Sequence, residues 1–225
     1  MTRVSWVRAL NALGIDSFRP RIGRLTLRNF VPILGAAIAF WPIAVLAWGH
    51  SSSATDTLVG AALAQTKEHV TYDPAYRVIA YPGGDVPRSR GVCADVIVRA
   101  YRELGIDLQV LVHEDMTAHF DAYPHLWGLR VPDANIDHRR VPNLATFFKR
   151  QRAMLRISEN GEDYAPGDLV TWTVAGSLPH IGIASDRLTP DGKRPLMVHN
   201  IGAGPKLEDI LFVYPITGHY RYSLD

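Results

Sequence analysis

The chain has a single cysteine, Cys93, among its 225 residues. No disulfide can therefore form within the chain, and no group of cysteines is present that could bind a structural zinc ion. The histidines are equally unsuited to a metal site. None of them forms the His-x-x-x-His or His-Glu-x-x-His spacing that sets two ligands on one helix face. We therefore expect neither a metal nor another cofactor.

An excess of basic charge is also missing from most of the chain. The formal net charge is +2, but residues 1–50 contain six arginines against Asp16 alone, which leaves −3 on the remaining residues. A mildly acidic body gives no support for a nucleic-acid partner. With 47% hydrophobic residues and no internal repeat, the chain is suited to one domain with a sizeable core.

Charged residues are absent from a run of nineteen residues, 30–48. A helix of that length nearly matches a hydrocarbon core of about 30 Å, and the arginines before it predict a cytoplasmic N-terminus. The run is either a signal peptide or an uncleaved membrane anchor. We therefore expect a leader (1–50), a linker (51–55) and an exported domain (56–225). This domain would be periplasmic, or anchored in the inner membrane with its body outside the cytoplasm.

Cys93 follows a loop rich in glycine, proline and arginine, at the start of a helical pattern that Gly105 ends. A thiol in the first turn of a helix faces the positive end of the helix dipole, so we expect a lowered pKa and a reactive thiolate. The alternative is a small buried hydrophobic residue. An idle thiol is less suited to an oxidising compartment, where cysteines are mainly paired.

The pattern around Cys93 predicts helices first and strands afterwards, which is an α+β fold with N-terminal helices packed on a small antiparallel sheet. One hydrophobic helix in the leader would precede it. Helices are predicted over 57–69 and 113–123, and from a cap at Asn143 to about residue 152. An extended segment is predicted over 106–112. Strands are predicted over 167–174, 178–185 and 195–200, with a final edge strand within 214–222.

His180 opens one predicted strand and His199 lies near the end of the next. Neighbouring strands can bring the two imidazoles side by side, and a helix across the sheet could bring Cys93 within reach of His180. A cysteine hydrolase needs such a set: a nucleophile, a base, and a polar group that orients the base. Spacing alone leaves the convergence of the three residues open.

Three short motifs resemble those of the NlpC-type cell-wall cysteine peptidases, which have a permuted papain-like core. Two of them, Gly167-Asp168-Leu169-Val170 and His180-Ile181-Gly182-Ile183, match the usual pattern well. The third, Val92-Cys93-Ala94-Asp95, has Ala and Asp where that pattern has Ser and Gly.

The stretch from about 56 to 222 resembles, more specifically, the bacterial domain-of-unknown-function family numbered 1287. The features that carry this resemblance are Tyr72-Asp73, Tyr81-Pro82, Gly91-Val92-Cys93, Asp95, Asp107-Leu108-Gln109, Asp137-His138-Arg139-Arg140 and His199-Asn200-Ile201-Gly202.

The resemblance to the NlpC group implies that Cys93 is the nucleophile, His180 the general base and His199 the residue that orients it. It also implies that the backbone N–H of Cys93 forms part of an oxyanion hole. The expected substrate is an amide bond in a peptidoglycan stem peptide. Two rival functions stay open, namely a wall-binding module without turnover and an acyltransferase that uses the same acyl-enzyme.

Six further residues are candidates for substrate binding. Tyr72 or Tyr81 would contact the substrate or complete the oxyanion hole. Arg90, Arg139 and Arg140 are candidates for a substrate carboxylate, with exposed, solvated arginines as the alternative. Asp95 either favours the dipole of its helix or pairs with one of the nearby arginines.

Overall fold

The computed structural model of this protein describes residues 53–222. The predicted leader, including its hydrophobic helix, lies outside the described residues. So does the start of the linker. Within 53–222 no helix combines the length and the apolar character that a membrane crossing requires.

The first helix, α1 (Ala54–Gln65), begins three residues before the predicted start. Ser53 is its cap, because the Ser53 hydroxyl accepts the N–H of Asp56 and the Asp56 carboxylate accepts the N–H of Ser53, each at 3.1 Å. The end of the predicted linker therefore belongs to the domain.

The second helix, α2 (Cys93–Arg102), confirms the helix predicted from the Cys93 pattern, and Gly105 has a φ of +74° three residues after it. The third helix, α3 (Leu108–Ala118), contradicts the extended segment predicted over 106–112. Asp107 caps it, since its carboxylate accepts the N–H of Gln109 at 3.0 Å. Val112 and Met116 lie one and two turns beyond Leu108, and all three are buried. This helical spacing outweighed the high β-propensity of the segment.

The fourth helix, α4 (Val141–Arg150), has Arg140 in the cap position and Pro142 in its first turn. The predicted cap, Asn143, lies inside the helix instead. It is buried and donates from its side chain to the carbonyl of Asp137 at 3.2 Å. Proline at the start of a helix is favoured because its missing N–H would have no partner there.

The strands are β1 (Thr71–Tyr72), β2 (Arg90–Gly91), β3 (Met154–Leu155), β4 (Leu169–Val174), β5 (Leu178–Leu188), β6 (Pro195–His199), β7 (Lys206–Glu208) and β8 (Ile216–Tyr220). The main sheet has six antiparallel strands in the order β3-β8-β4-β5-β6-β7. The predicted edge strand is wrong in position, because β8 pairs with both β3 and β4. The sheet edges are two short strands that the sequence patterns did not predict, β3 and β7. A parallel pair, β1 with β2, lies beside α2.

The two faces of the sheet are covered differently. Ile181 and Ile183 of β5 pack with Cys93 and the other buried residues of α2. Trp172 and Ala184 belong to a second apolar cluster. Because side chains alternate along a strand, β5 contributes to both clusters. The α+β fold predicted from the sequence is confirmed, with four α-helices and one antiparallel sheet in the described part of the chain.

Candidate active site

Cys93 is the first residue of α2 and is only 4% exposed. Val92 occupies the cap position but its side chain cannot accept a hydrogen bond. The Asp95 carboxylate forms the other half of a capping box, because it accepts the N–H of Val92 at 2.6 Å. The N-terminus of α2 is thus capped at the residue that precedes the thiol.

The predicted lowering of the thiol pKa is wrong for the protein in this conformation. Burial raises the pKa of Cys93 to about 11, because a thiolate would be poorly solvated at this position. Hydrogen bonds from the backbone of Ile181 and Ala94 act in the opposite direction but do not outweigh burial. At neutral pH the sulfur is therefore a protonated thiol.

The two predicted strand histidines do meet. His180 Nε2 lies 3.1 Å from His199 Nδ1, and their rings are nearly perpendicular. His199 Nε2 in turn lies 3.0 Å from a carboxylate oxygen of Glu208 on β7. The sequence patterns missed Glu208, because an edge strand of three residues is too short for alternation to be recognised.

The protonation of this chain of groups follows from what each can donate. Burial lowers the pKa of His180 to about 3 and also lowers the pKa of His199, so both rings are neutral at pH 7. A Glu208 carboxylate can only accept, so His199 donates from Nε2 and accepts at Nδ1. His180 must then donate from its Nε2 to His199. Its Nδ1 is left with a free lone pair, as a general base requires.

Gly182 permits the close approach of the two histidine strands. It lies opposite His199 in the register of β5 with β6. A Cβ atom at Gly182 would lie 3.1 Å from the Cβ of His199 and 3.2 Å from the ring of Trp172. Any larger residue would push β6 or Trp172 away, which gives a packing reason for glycine two residues after His180.

Two contacts hold the start of α2 against these strands. The backbone of Ile181, the residue after His180, donates to the Cys93 sulfur. The side chain of Asn200, the residue after His199, donates to the carbonyl of Gly91 at 3.4 Å. These contacts place the start of α2 at the end of the β5–β6 pair where His180 meets His199.

Cys93 also lines an open cavity of about 330 Å³. Other residues that line it include Tyr72, Trp127, Arg139, Arg140 and Pro179. Burial raises the pKa of Tyr72, and a thiolate at Cys93 would raise it further. Tyr72 is thus a neutral hydroxyl near the sulfur, able to donate a hydrogen bond to an oxyanion.

Asp95 and Arg139 form a buried ion pair, so the pairing that the sequence left open is confirmed. Two guanidinium nitrogens of Arg139 lie 2.8 and 3.0 Å from the two oxygens of Asp95. Arg139 also donates to the backbone carbonyls of Asp73 and Ala75. Since these partners occupy both side chains, the pair braces α2 against the loop before β2 and is unsuited to binding a substrate.

Arg140 differs from Arg139 although both line the cavity. Its guanidinium lies over the ring of Trp127, 4.7 Å from the centroid. Its Nη1 is buried and has no hydrogen-bond partner, and the side chain forms no ion pair within residues 53–222. Trp127 was missed by the sequence patterns. Its φ of +56°, followed by +73° at Gly128, marks a tight turn. The only sequence signal for this turn is the glycine that follows Trp127.

Two predicted binding residues lie apart from the lining of this cavity. Tyr81 packs its ring against His113, with centroids 5.3 Å apart. Arg90 is exposed and pairs with Asp73 at 2.9 Å, which is the solvated alternative left open for the arginines. No cluster of three histidine, cysteine or carboxylate side chains that could hold a metal occurs between residues 53 and 222.

Comparison with known proteins identifies one family. A family model described as a domain of unknown function (DUF1287) matches residues 59–222. The uncharacterized protein YijF of Escherichia coli (strain K12) is 55% identical over 151 residues, which cover 67% of this chain and 73% of that protein. No solved structure matches the chain.

Proposed function

This chain belongs to the DUF1287 family, and we propose that it is an exported cysteine hydrolase that cleaves amide bonds in peptidoglycan stem peptides. The observation that carries this proposal is the chain His180–His199–Glu208 at the place where the start of α2 meets β5 and β6. The residue after His180, Ile181, donates from its backbone to the Cys93 sulfur. A thiol together with a buried relay of this kind has the composition of a nucleophile with an oriented base.

The proposed reaction begins with both groups neutral. His180 Nδ1 removes the proton from the Cys93 thiol while the sulfur attacks the amide carbonyl carbon. The resulting oxyanion accepts hydrogen bonds from the backbone N–H of Cys93 and from the Tyr72 hydroxyl. His180 then gives its proton to the leaving amine, and a thioester remains on Cys93. Water, deprotonated by His180, hydrolyses the thioester and frees the thiol.

His199 and Glu208 contribute by orientation. The Glu208 carboxylate holds His199 in the tautomer that accepts from His180 Nε2, which keeps Nδ1 of His180 unprotonated. When His180 becomes positively charged during the reaction, the polar chain behind it stabilises that charge. The low pKa of His180 makes it a weak base at rest, so binding of a substrate carbonyl beside the sulfur must supply part of the driving force.

The likeness to NlpC-type peptidases supports the choice of substrate. The cysteine helix precedes the strands that carry the two histidines, which is the order that the resemblance to a permuted papain-like core implies. The uncharged run 30–48 supports export, which would bring the domain to the compartment that contains peptidoglycan. We propose that the leader acts as a signal peptide or inner-membrane anchor.

Digestion of purified peptidoglycan by the full-length chain, with products identified by mass spectrometry, tests the proposal. Replacing Cys93 by Ala, or His180 by Ala, is expected to lower the rate by about 1,000-fold or more. Replacing the half-exposed His119 by Ala is the matched control and should leave the rate unchanged. Full activity of the Cys93 variant would exclude the mechanism. Products joined to an added amine would instead identify an acyltransferase.

One observation favours a second function, a binding module without turnover. Both Cys93 and His180 are nearly inaccessible, at 4% and 2% exposed, and neither is charged. A module of this type would bind stem peptides without cleaving them. Co-sedimentation with peptidoglycan, unaltered by the Cys93→Ala change and without released products, would support it.

A further inference from the structure

The cavity beside Cys93 has an unusual balance of charge. Two arginines line it, and no carboxylate does so within the described residues. The charge of Arg139 is neutralised by Asp95 at 2.8 Å, whereas Arg140 has no ion-pair partner there. The Arg140 charge acts at longer range on Asp133, whose carboxylate accepts hydrogen bonds from Tyr76 and Asn135. One positive charge without an ion-pair partner among the described residues therefore belongs to the lining of the cavity.

The helix termini add to this charge. The first residues of α2 (Val92 and Cys93) and of α4 (Arg140 and Val141) all line the same cavity. The N-terminus of a helix carries a partial positive charge, which favours anions and disfavours a cation such as Arg140. An arginine at this position is therefore electrostatically unfavourable by itself, and a bound anion would remove the conflict.

Trp127 fixes the orientation of the Arg140 side chain. A guanidinium that stacks on an aromatic ring loses less freedom when it binds a ligand than a free side chain would. The edge of the planar group matches the two oxygens of a carboxylate, and its Nη1 has no hydrogen-bond partner. The turn that presents Trp127 has a positive φ, a conformation that costs energy in a non-glycine residue and persists where the surroundings require it.

From these observations we infer that Arg140, stacked on Trp127, is a carboxylate subsite next to Cys93, and that the substrate carries a free carboxylate close to the bond presented to the thiol. The inference rests on the proposed function for the nature of that bond. The cavity of about 330 Å³ lies at the small end of ligand pockets, so the carboxylate and the carbonyl must be only a few bonds apart. The carboxylate belongs either to an acidic side chain or to a C-terminal residue.

Binding to a protein that cannot react tests this subsite separately from catalysis. The full-length chain with Cys93→Ala would be titrated calorimetrically with three peptides of equal size. N-acetyl-alanyl-glutamate amide offers a side-chain carboxylate, N-acetyl-alanyl-glutamine a terminal one, and N-acetyl-alanyl-glutamine amide none. We expect one of the first two to bind at least about tenfold more tightly than the third, since a charged hydrogen bond contributes that much. Which of them binds better identifies the source of the carboxylate.

The preference is expected to disappear in the additional variant Arg140→Gln and to persist in Arg187→Gln, which changes an exposed arginine of β5. Arg140→Lys retains the charge and so should fold, but it should keep only a reduced preference because an ammonium group lacks the planar edge. Equal binding of the three peptides, including no binding of any, would overturn the inference. A full preference in either Arg140 variant would do the same. Tight carboxylate binding without hydrolysis by the intact chain would reject only the proposed catalysis.

Discussion

Alkylation of Cys93 is the most direct measure of its buried state. Burial raises the pKa of the thiol from 9.0 to about 11, which lowers the thiolate fraction at neutral pH about 100-fold. The greater nucleophilicity of a more basic thiolate offsets about tenfold of this loss. We therefore expect iodoacetamide to react with the folded protein about tenfold more slowly than with a free thiol at about pH 7.5, before any steric hindrance.

The pH profile provides the stricter test. The rate should continue to rise about tenfold per pH unit beyond the point, near pH 9, where a free thiol levels off. Because Cys93 is the only cysteine, a single mass shift reports its modification. The same thiol in concentrated guanidinium chloride should react at the rate of a free cysteine. A plateau below pH 9 in the folded protein would show a preformed thiolate and refute the reasoning.

The raised pKa of Cys93 also makes the free energy of unfolding depend on pH. The folded state keeps the thiol proton more firmly than the unfolded state, so the contribution of the neutral thiol is complete below pH 9. As the pH rises from 9 towards 11 this contribution is lost, and the free energy of unfolding falls by about 3 kcal/mol in total. Urea denaturation of wild type and Cys93→Ser over this window isolates the term, because buried tyrosines affect both proteins equally. A pH-independent difference between the two proteins would contradict the raised pKa.

Two further predictions concern residues that support the site. Glu208→Gln should lower kcat for stem-peptide hydrolysis about tenfold with little change in KM, because it weakens the orientation of His199 without touching substrate. The control is Glu159→Gln, which changes an exposed residue, and a change in KM alone would argue against a positioning role. Asp95→Ala should lower the free energy of unfolding by about 3–5 kcal/mol, since it leaves the charge of Arg139 buried and unpaired. The double change Asp95→Leu with Arg139→Met should cost less in urea denaturation, and a single-variant loss below about 1 kcal/mol would contradict the buried pair.

Local patterns predicted the elements that carry the proposed chemistry. Helical spacing after Cys93 predicted α2, and alternation predicted the central strands β4, β5 and β6, because each pattern reports a buried face within a few residues. The register of neighbouring strands then explains why His180 and His199 meet. The patterns wrongly predicted an extended segment over 106–112, where the Asp107 cap and a buried face with helical spacing stabilise α3 instead. They also failed for β8, since strand order within a sheet depends on pairing partners far away in the chain.

The nature and the order of the groups in the candidate site were already determined by the sequence: one thiol at a helix start, followed by two histidines on successive strands. Only the tertiary structure decided the protonation of these groups and their partners. The thiol pKa rises because α2 is packed under β5, and Glu208 joins His199 because a short edge strand pairs with β6. Of two adjacent arginines, Arg139 is neutralised by Asp95 and Arg140 is left facing the cavity. Burial and long-range pairing cause these differences, and neither leaves a local pattern in the chain.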